Sequence, residues 1–437
     1  GVTPVSTISQ VKAREVLDSR GNPTVEVEIL LSDGSQGLGI SPSGASTGSK
    51  EVVELRDEDS SRFRGLGVLN AINGIRQEIT PLLLGRMATD QKYLDTLLIE
   101  LDGTPNKSRL GGNALVAVSI ALVHAAAKSE NVPVYQYLGN TQSLNIPIPM
   151  MNILNGGKHA DNSTDIQEFM VVPAGFNSFR EALHAGVNVY HALKDILTKK
   201  GFNTTIGDEG GFAPSGISNE DAIRLIIEAV VNGGYIPGEQ FFLALDVAAN
   251  EIVLENGNYK MRSDCTISSG KELVDMYCDW VSKYPIISIE DGIAENDWKG
   301  WATLTDRLGS TTQIVGDDLY ATNPNIITDG IRDKTSNAVL IKPNQIGTIT
   351  ETLEAIEITK SAGWGVIISH RSGESEDTTI ADLAVGSSAE QLKTGAPCRG
   401  ERTAKYNRLL RIEEELGKSA SYTGLTTYKK FFKNRKN

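Results

Sequence analysis

One short pattern recurs through the second part of the chain: an apolar run followed by a single polar residue able to do chemistry. Residues 241–245 lead to Asp246, 286–289 to Glu290, 313–316 to Asp317, 338–341 to Lys342, 365–369 to His370 and, less regularly, 390–392 to Lys393. Most of these runs are apolar on both alternating faces, as a strand covered on both sides requires. The polar residues are spaced 44, 27, 25, 28 and 23 apart, close to the length of one strand, one helix and two loops. Six such units, added to strand-like segments at 147–154 and 166–172, make eight strands. Eight is the count of a closed β/α barrel, which gathers its functional groups at the C-terminal ends of its strands. A single strand-end Asp is often just a helix N-cap. A series that includes two lysines and a histidine is not explained by capping. Lys342 is the sharpest case: Pro343 stops the strand, so a cation is left where a buried sheet ends.

Residues 1–138 read differently, with strands first and helices after, an α+β arrangement. Val25, Val27 and Ile29 alternate with Glu26 and Glu28, which predicts a half-buried strand. A second short strand is expected over 37–40. Helical spacing follows in Leu69, Ile72, Ile75 and Ile79, then in Leu94, Leu97, Leu98 and Leu101. Residues 112–128 form a small-residue helix suited to close packing. A linker at 139–145 precedes the barrel, 146–437, whose first helices are expected at 179–199 and 219–232. The glycine- and hydroxyl-rich loop 43–50 is not a P-loop. Gly44 and Gly48 enclose three residues rather than four, and Lys50 is followed by Glu51. It reads as a mobile lid whose hydroxyls reach a metal or a phosphate.

The 437 residues suffice for a barrel core plus an accessory domain, and the net charge of −13 argues against nucleic acid as an obligatory partner. An acidic protein that binds anionic substrates needs local positive charge, from metal ions or clustered Lys and Arg. Cys265, Cys278 and Cys398 are odd in number and fit no disulfide or zinc pattern, which favours a reducing compartment and a cytoplasmic location. No apolar run approaches roughly 20 residues, so no membrane insertion is expected, and the first residues show no signal-peptide pattern.

At the expected mouth, Asp246, Glu290 and Asp317 come from three consecutive strands. Convergent carboxylates repel unless a cation neutralises them, and an all-oxygen set suits Mg²⁺, with Mn²⁺ as the alternative. Asp318 is an alternative to Asp317. Lys342 and Lys393 stand across the mouth, where mutual repulsion and the cation push a lysine toward its neutral, basic form. Such a lysine can remove the proton α to a metal-bound carboxylate. Glu168, and Glu209 in the glycine-flanked turn 207–211, are candidate acids that could share one proton. Arg371 and Ser372, in a strand-to-helix turn, suit a phosphate. His159 lies in a flexible glycine-rich loop.

These stretches resemble the enolase family along nearly the whole chain. They include residues 18–27, 42–48, 154–157, 167–170, 207–211, 288–291, 317–319, 342–347, 369–374 and 393–397. The resemblance implies an eight-stranded TIM-like barrel of ββαα(βα)₆ order with an N-terminal α+β capping domain. It implies Mg²⁺-dependent, reversible dehydration of 2-phospho-D-glycerate to phosphoenolpyruvate in glycolysis and gluconeogenesis. Lys342 would be the base and Glu209 the acid, assisted by Glu168, with His370 near the reacting end. Asp246, Glu290 and Asp317 would hold the first Mg²⁺, and Ser46 would help hold a second. Arg371 and Ser372 would take the phosphate, Lys393 would face the substrate carboxylate, and Gln167 and His159 would line the site. The resemblance also implies a homodimer, octameric in some members, with Arg14, Glu26, Arg411 and Glu414 at positions used in the dimer contact. Pro343 departs from many relatives and Gly292 from some, and neither touches a functional side chain.

Two rivals remain on sequence grounds. An acid-sugar dehydratase or racemase of the same superfamily would share the metal triad but not the full set of Ser46, Glu209, Lys342, Arg371 and Lys393. A binding role, at the cell surface or in a larger complex, would use the basic tail 429–436, whose plainer reading is a solvated terminal segment.

Overall fold

In a computed structural model, which describes residues 6–44, 47–139, 144–160 and 162–435, the chain begins with a three-stranded antiparallel sheet. Its strands are β1 (Ile8–Leu17), β2 (Pro23–Leu31) and β3 (Gln36–Ile40). The alternation read in the sequence is realised: Val25, Val27 and Ile29 are fully buried. They face a helical layer that includes α1 (Gly112–Ser129). Gly37 and Gly39 let this helix lie directly on β3. A Cβ at either would come within 2.2 or 2.3 Å of the Ala121 or Ala117 carbonyl oxygen. In length and mean hydropathy α1 is apolar enough to cross a membrane, which the sequence reading did not single out, yet 83% of it is buried inside the protein. It is a core helix. Leu69, at the head of the preceding helical repeat, stays exposed. Arg14 pairs within the chain, with Glu26 at 2.8 Å and Glu28 at 2.7 Å.

The barrel strands are β4 (Ile148–Asn155), β5 (Glu168–Val172), β6 (Phe242–Asp246), β7 (Ile286–Glu290), β8 (Gln313–Gly316), β9 (Ala338–Ile341), β10 (Gly365–Ser369) and β11 (Glu390–Lys393). They close in that order, with β11 pairing β4. Only β5 runs against its neighbours, antiparallel to both β4 and β6. The cause is the connection 156–167: among its described residues there is no α-helix, so the chain turns straight back instead of crossing over. The two amphipathic helices α2 (Phe179–Lys199) and α3 (Asn219–Asn232) follow at the expected bounds. Ser218 caps α3 with a reciprocal Asp221 contact.

The capping domain is tied to the barrel by polar contacts. Lys107 Nζ bonds both oxygens of Glu351 at 2.9–3.0 Å, and Thr350 Oγ1 donates to Asp95 at 2.6 Å. The basic tail is not a solvated segment. It forms helix α5 (Lys429–Arg435), and its Phe431 joins Tyr428, Phe242, Ile287 and Leu340 in the barrel's inner cluster. Arg435 donates to the Thr311 and Ile286 carbonyls. Lys429, Lys430 and Lys433 remain exposed. The aromatics therefore plug the end of the barrel away from the polar strand ends. The three cysteines are free. Replacing Phe431 with Ala should cost about 3 kcal/mol by opening a cavity in that plug; a urea unfolding midpoint close to wild type would contradict the plug.

Candidate active site

Strand register assembles the site. Asn155 pairs with Glu168, Glu168 with Asp246, and Asp246 with Glu290. Because β5 runs backwards, Glu168 reaches the mouth from the start of its strand while the others reach it from their ends. Around the ring β9 stands four strands from β5 in either direction, so Lys342 enters opposite Glu168.

Two ammonium groups, Lys393 buried and Lys342 half-buried, balance the carboxylates. Lys393 Nζ lies 2.7 Å from Glu168, 3.1 Å from Asp246 and 3.0 Å from Glu290. Lys342 Nζ donates to Asp317 Oδ2 at 2.7 Å, and Gln345 Nε2 donates to the other oxygen at 2.9 Å. Burial pushes all these acids up. Burial is the largest single influence at both Asp246 and Asp317. Lys393, Lys342 and the hydrogen bonds with Glu168 and Glu290 together outweigh it at Asp246, Lys342, Lys393 and Gln345 together do so at Asp317, and both end low. Glu290 stays well above the usual carboxylate range. At the lysines the protein's own groups act against the effect that the sequence reading assigned to mutual repulsion and a bound cation. Burial, the largest single influence, and the neighbouring Arg371 and Lys393 push Lys342 down. The surrounding carboxylates, Asp317 foremost and Glu290 with it, together push it up, and these protein groups favour the ammonium form. The attraction at 2.7 Å exceeds the repulsion from Lys393.

Glu209 projects from its glycine-flanked turn between two histidines. Its Oε1 lies 3.3 Å from His370 Nε2 and accepts from Asn152 Nδ2 at 3.1 Å; its Oε2 lies 3.6 Å from His159 Nε2. Oxygens of Glu168 and Glu209 come within 4.8 Å of each other. Burial raises both acids. The adjacent Glu209 charge adds to the rise at Glu168, whereas His159 and His370 bring Glu209 down. The two environments drive the pair apart, favouring the protonated form at Glu168 and the ionised form at Glu209, and Glu168 Oε1 has no hydrogen-bond partner. Burial lowers His370 to about 4, so its imidazole is neutral.

Arg371 and Ser372 follow β10. Ser372 Oγ lies 3.2 Å from His159 Nε2. Arg371 forms a pair with Glu51 of the capping domain at 2.8 Å and also donates to Asn344 at 3.1 Å. Glu51 in turn accepts from the Gly48 N–H at 2.7 Å. The Ser43 N–H bonds the Gly373 carbonyl at 2.9 Å, and Ser49 donates to Glu295 at 2.9 Å, so both arms of loop 43–50 rest on the barrel. Ser46 lies outside the described residues. Gln167 is buried with its Oε1 unpartnered, and it lines a residual cavity of about 40 Å³.

The donor set fits a hard divalent cation. Carboxylate oxygens of Glu168, Asp246 and Glu290 lie within 4.8 Å of one another, and so do those of Asp291, Asp317 and Asp318. The grouping is broader than the expected triad, since Glu168 stands beside Asp246 and Glu290 while Asp317 stands beside its neighbours. Asp317 faces Lys342, whereas Asp318 accepts from Asn250 at 3.1 Å, and burial beside Asp317 raises it to about 7. Sequence reasoning missed Asp291, which braces the site by accepting the Asp317 and Asp318 N–H groups at 2.8 and 3.0 Å. It also missed Glu51, Asn152 and Arg402. Asn152 sits in an apolar strand, and its polarity was the available signal.

The depressed His370 value fixes a pH dependence. Between pH 6.5 and about 4 an unfolded histidine takes a proton that folded His370 refuses, so stability is full above that window and falls as pH falls through it. In urea titrations across this range, His370→Gln should lose about 3 kcal/mol less than wild type; equal losses would show that His370 is not buried neutral.

Comparison with family models agrees with the geometry. The model described as the enolase N-terminal domain matches residues 8–138. The model described as the enolase C-terminal TIM barrel domain matches residues 143–431. With nearly the whole chain matched and a closed eight-stranded barrel carrying clustered carboxylates at its mouth, the protein belongs to the enolase family.

Proposed function

We propose that this protein is a phosphopyruvate hydratase, converting 2-phospho-D-glycerate reversibly into phosphoenolpyruvate and water. The observation that carries this reading is the opposition across the ring: Lys342 enters from β9, while the Glu168–Glu209 pair gathers at the other side. A base on one face of a small acid and an acid on the other are what the removal of a proton and a hydroxyl from adjacent carbons requires.

Asp246, Glu290 and Asp317 would hold Mg²⁺, with Mn²⁺ as a substitute, and Ser46 would serve a second ion. When bound, the ion supplies positive charge that stabilises charge developing on the substrate carboxylate. Lys342 takes the proton from C2. It must be neutral to do so, and drawing Asp317 away from it removes the contact that favours its ammonium form. Lys393 holds the substrate carboxylate and keeps Asp246 ionised. The proton kept on Glu168 passes through Glu209 to the departing C3 hydroxyl, with His370 beside Glu209. Arg371 and Ser372 hold the phosphate, and His159 and Gln167 exclude water around it. The enolase family binds small phosphorylated substrates and is typically oligomeric. A homodimer, an octamer being the alternative, and a cytoplasmic location complete the proposal.

The test is the ultraviolet absorbance of phosphoenolpyruvate, formed from 2-phospho-D-glycerate with added Mg²⁺. Product should form with wild type, and Lys342→Ala should lower kcat by roughly 10³-fold while Mg²⁺ binding, read by calorimetry, persists. No product from wild type while a control hydratase is active would point instead to another dehydratase or a racemase of the superfamily.

A further inference from the structure

The helix after the last barrel strand, α4 (Gly400–Leu416), sends a fully buried guanidinium toward the mouth. Arg402 donates from Nη1 to His370 Nδ1 at 2.5 Å and to the Arg371 carbonyl at 2.6 Å. From Nη2 it donates to the Ser372 carbonyl at 2.6 Å and the Asp208 carbonyl at 3.1 Å. One side chain thus joins the phosphate loop to the turn that carries Glu209. Burying a guanidinium is costly unless its donors are used, and four of its hydrogen bonds end on these two loops. The backbone makes room for it. Gly395 has φ +89, and a Cβ there would lie 2.9 Å from the Glu209 carbonyl oxygen, 3.0 Å from Arg402 Cδ and 3.2 Å from His370 Cε1.

The contact with His370 has a chemical consequence that the carbonyl contacts lack. Guanidinium has donors only, so Nδ1 of His370 must accept and cannot carry a proton. The single proton of the neutral ring then sits on Nε2, the nitrogen 3.3 Å from Glu209 Oε1. We infer that Arg402 is a positioning residue that fixes the His370 tautomer, so that Nε2–H faces the Glu209 carboxylate. With the opposite tautomer a lone pair, rather than an N–H, would lie 3.3 Å from that carboxylate, an unfavourable electrostatic arrangement, since Nε2 has no other hydrogen-bond partner. The catalytic part of this inference rests on the proposed hydratase reading; the tautomer part does not.

A two-bond nitrogen–proton correlation spectrum of histidine-labelled protein reads the tautomer directly, with His370→Gln used to assign the signal among the five histidines. Wild type should show His370 as the pure Nε2–H form. Arg402→Met should give mixed tautomers and lower kcat for phosphoenolpyruvate formation by roughly 100-fold, with KM within about threefold. Lys405→Met tests for a merely structural effect. Lys405 is equally buried on the same helix but bonds Glu374 and the Ser375 carbonyl, so this variant should lose stability and keep the wild-type His370 spectrum. A wild-type proton on Nδ1, or an Arg402→Met spectrum or kcat like wild type, overturns the inference. If Arg402→Met does not fold, the wild-type spectrum decides. Expected spectra without hydratase activity in wild type would refute the proposed reaction and leave the tautomer assignment standing.

Discussion

The Lys393 ammonium, enclosed by Glu168, Asp246 and Glu290, is the contact on which the site depends. Removing one partner from such a buried set costs about 3–5 kcal/mol, because it leaves uncompensated charge behind. The charges are brought together by strand register. Asp246 and Glu290 are paired neighbours, and Lys393 ends the strand that closes the ring. Glu168 arrives from the other direction because its strand is reversed. A barrel without that reversed strand would put the residue at this position at the far end of the molecule.

Around this cluster the protein divides its labour. The capping domain adds Glu51 on Arg371 and the Ser43–Gly373 pairing, so the turn after β10 is held from both domains. Helix α4 adds Arg402 and Lys405, both fully buried, under the same turn. The opposite end of the barrel is sealed by Phe431 and Tyr428. Chemistry at one end and packing at the other is the usual economy of a barrel. Here the terminal helix supplies the packing.

Much of this was legible in the sequence because buried strands are written as short apolar runs, and their end residues stand out. Asp246, Glu290, Asp317, Lys342, His370 and Lys393 were all readable as strand ends, and the bounds of α2 and α3 followed from amphipathic spacing. Other features depend on contacts distant in sequence. Nothing around Glu51 announces a partner 320 residues away. Nothing around Arg402 distinguishes it from the other basic residues of a charged helix. The close Lys342–Asp317 contact was not legible, because strand order shows which groups converge, not which neighbour comes closest. The basic tail was misread because its lysines outnumber the two aromatics that dock it.

The central claim is that proton removal and hydroxyl departure are performed by groups on opposite sides of one mouth, with Lys342 responsible for the first. Exchange of the C2 proton of 2-phospho-D-glycerate in deuterated water, followed by nuclear magnetic resonance with Mg²⁺ present, separates the two steps. The expected result is that Glu209→Gln still exchanges the C2 proton while forming little phosphoenolpyruvate, and that Lys342→Ala exchanges none. Exchange by Lys342→Ala at the wild-type rate would contradict the assignment.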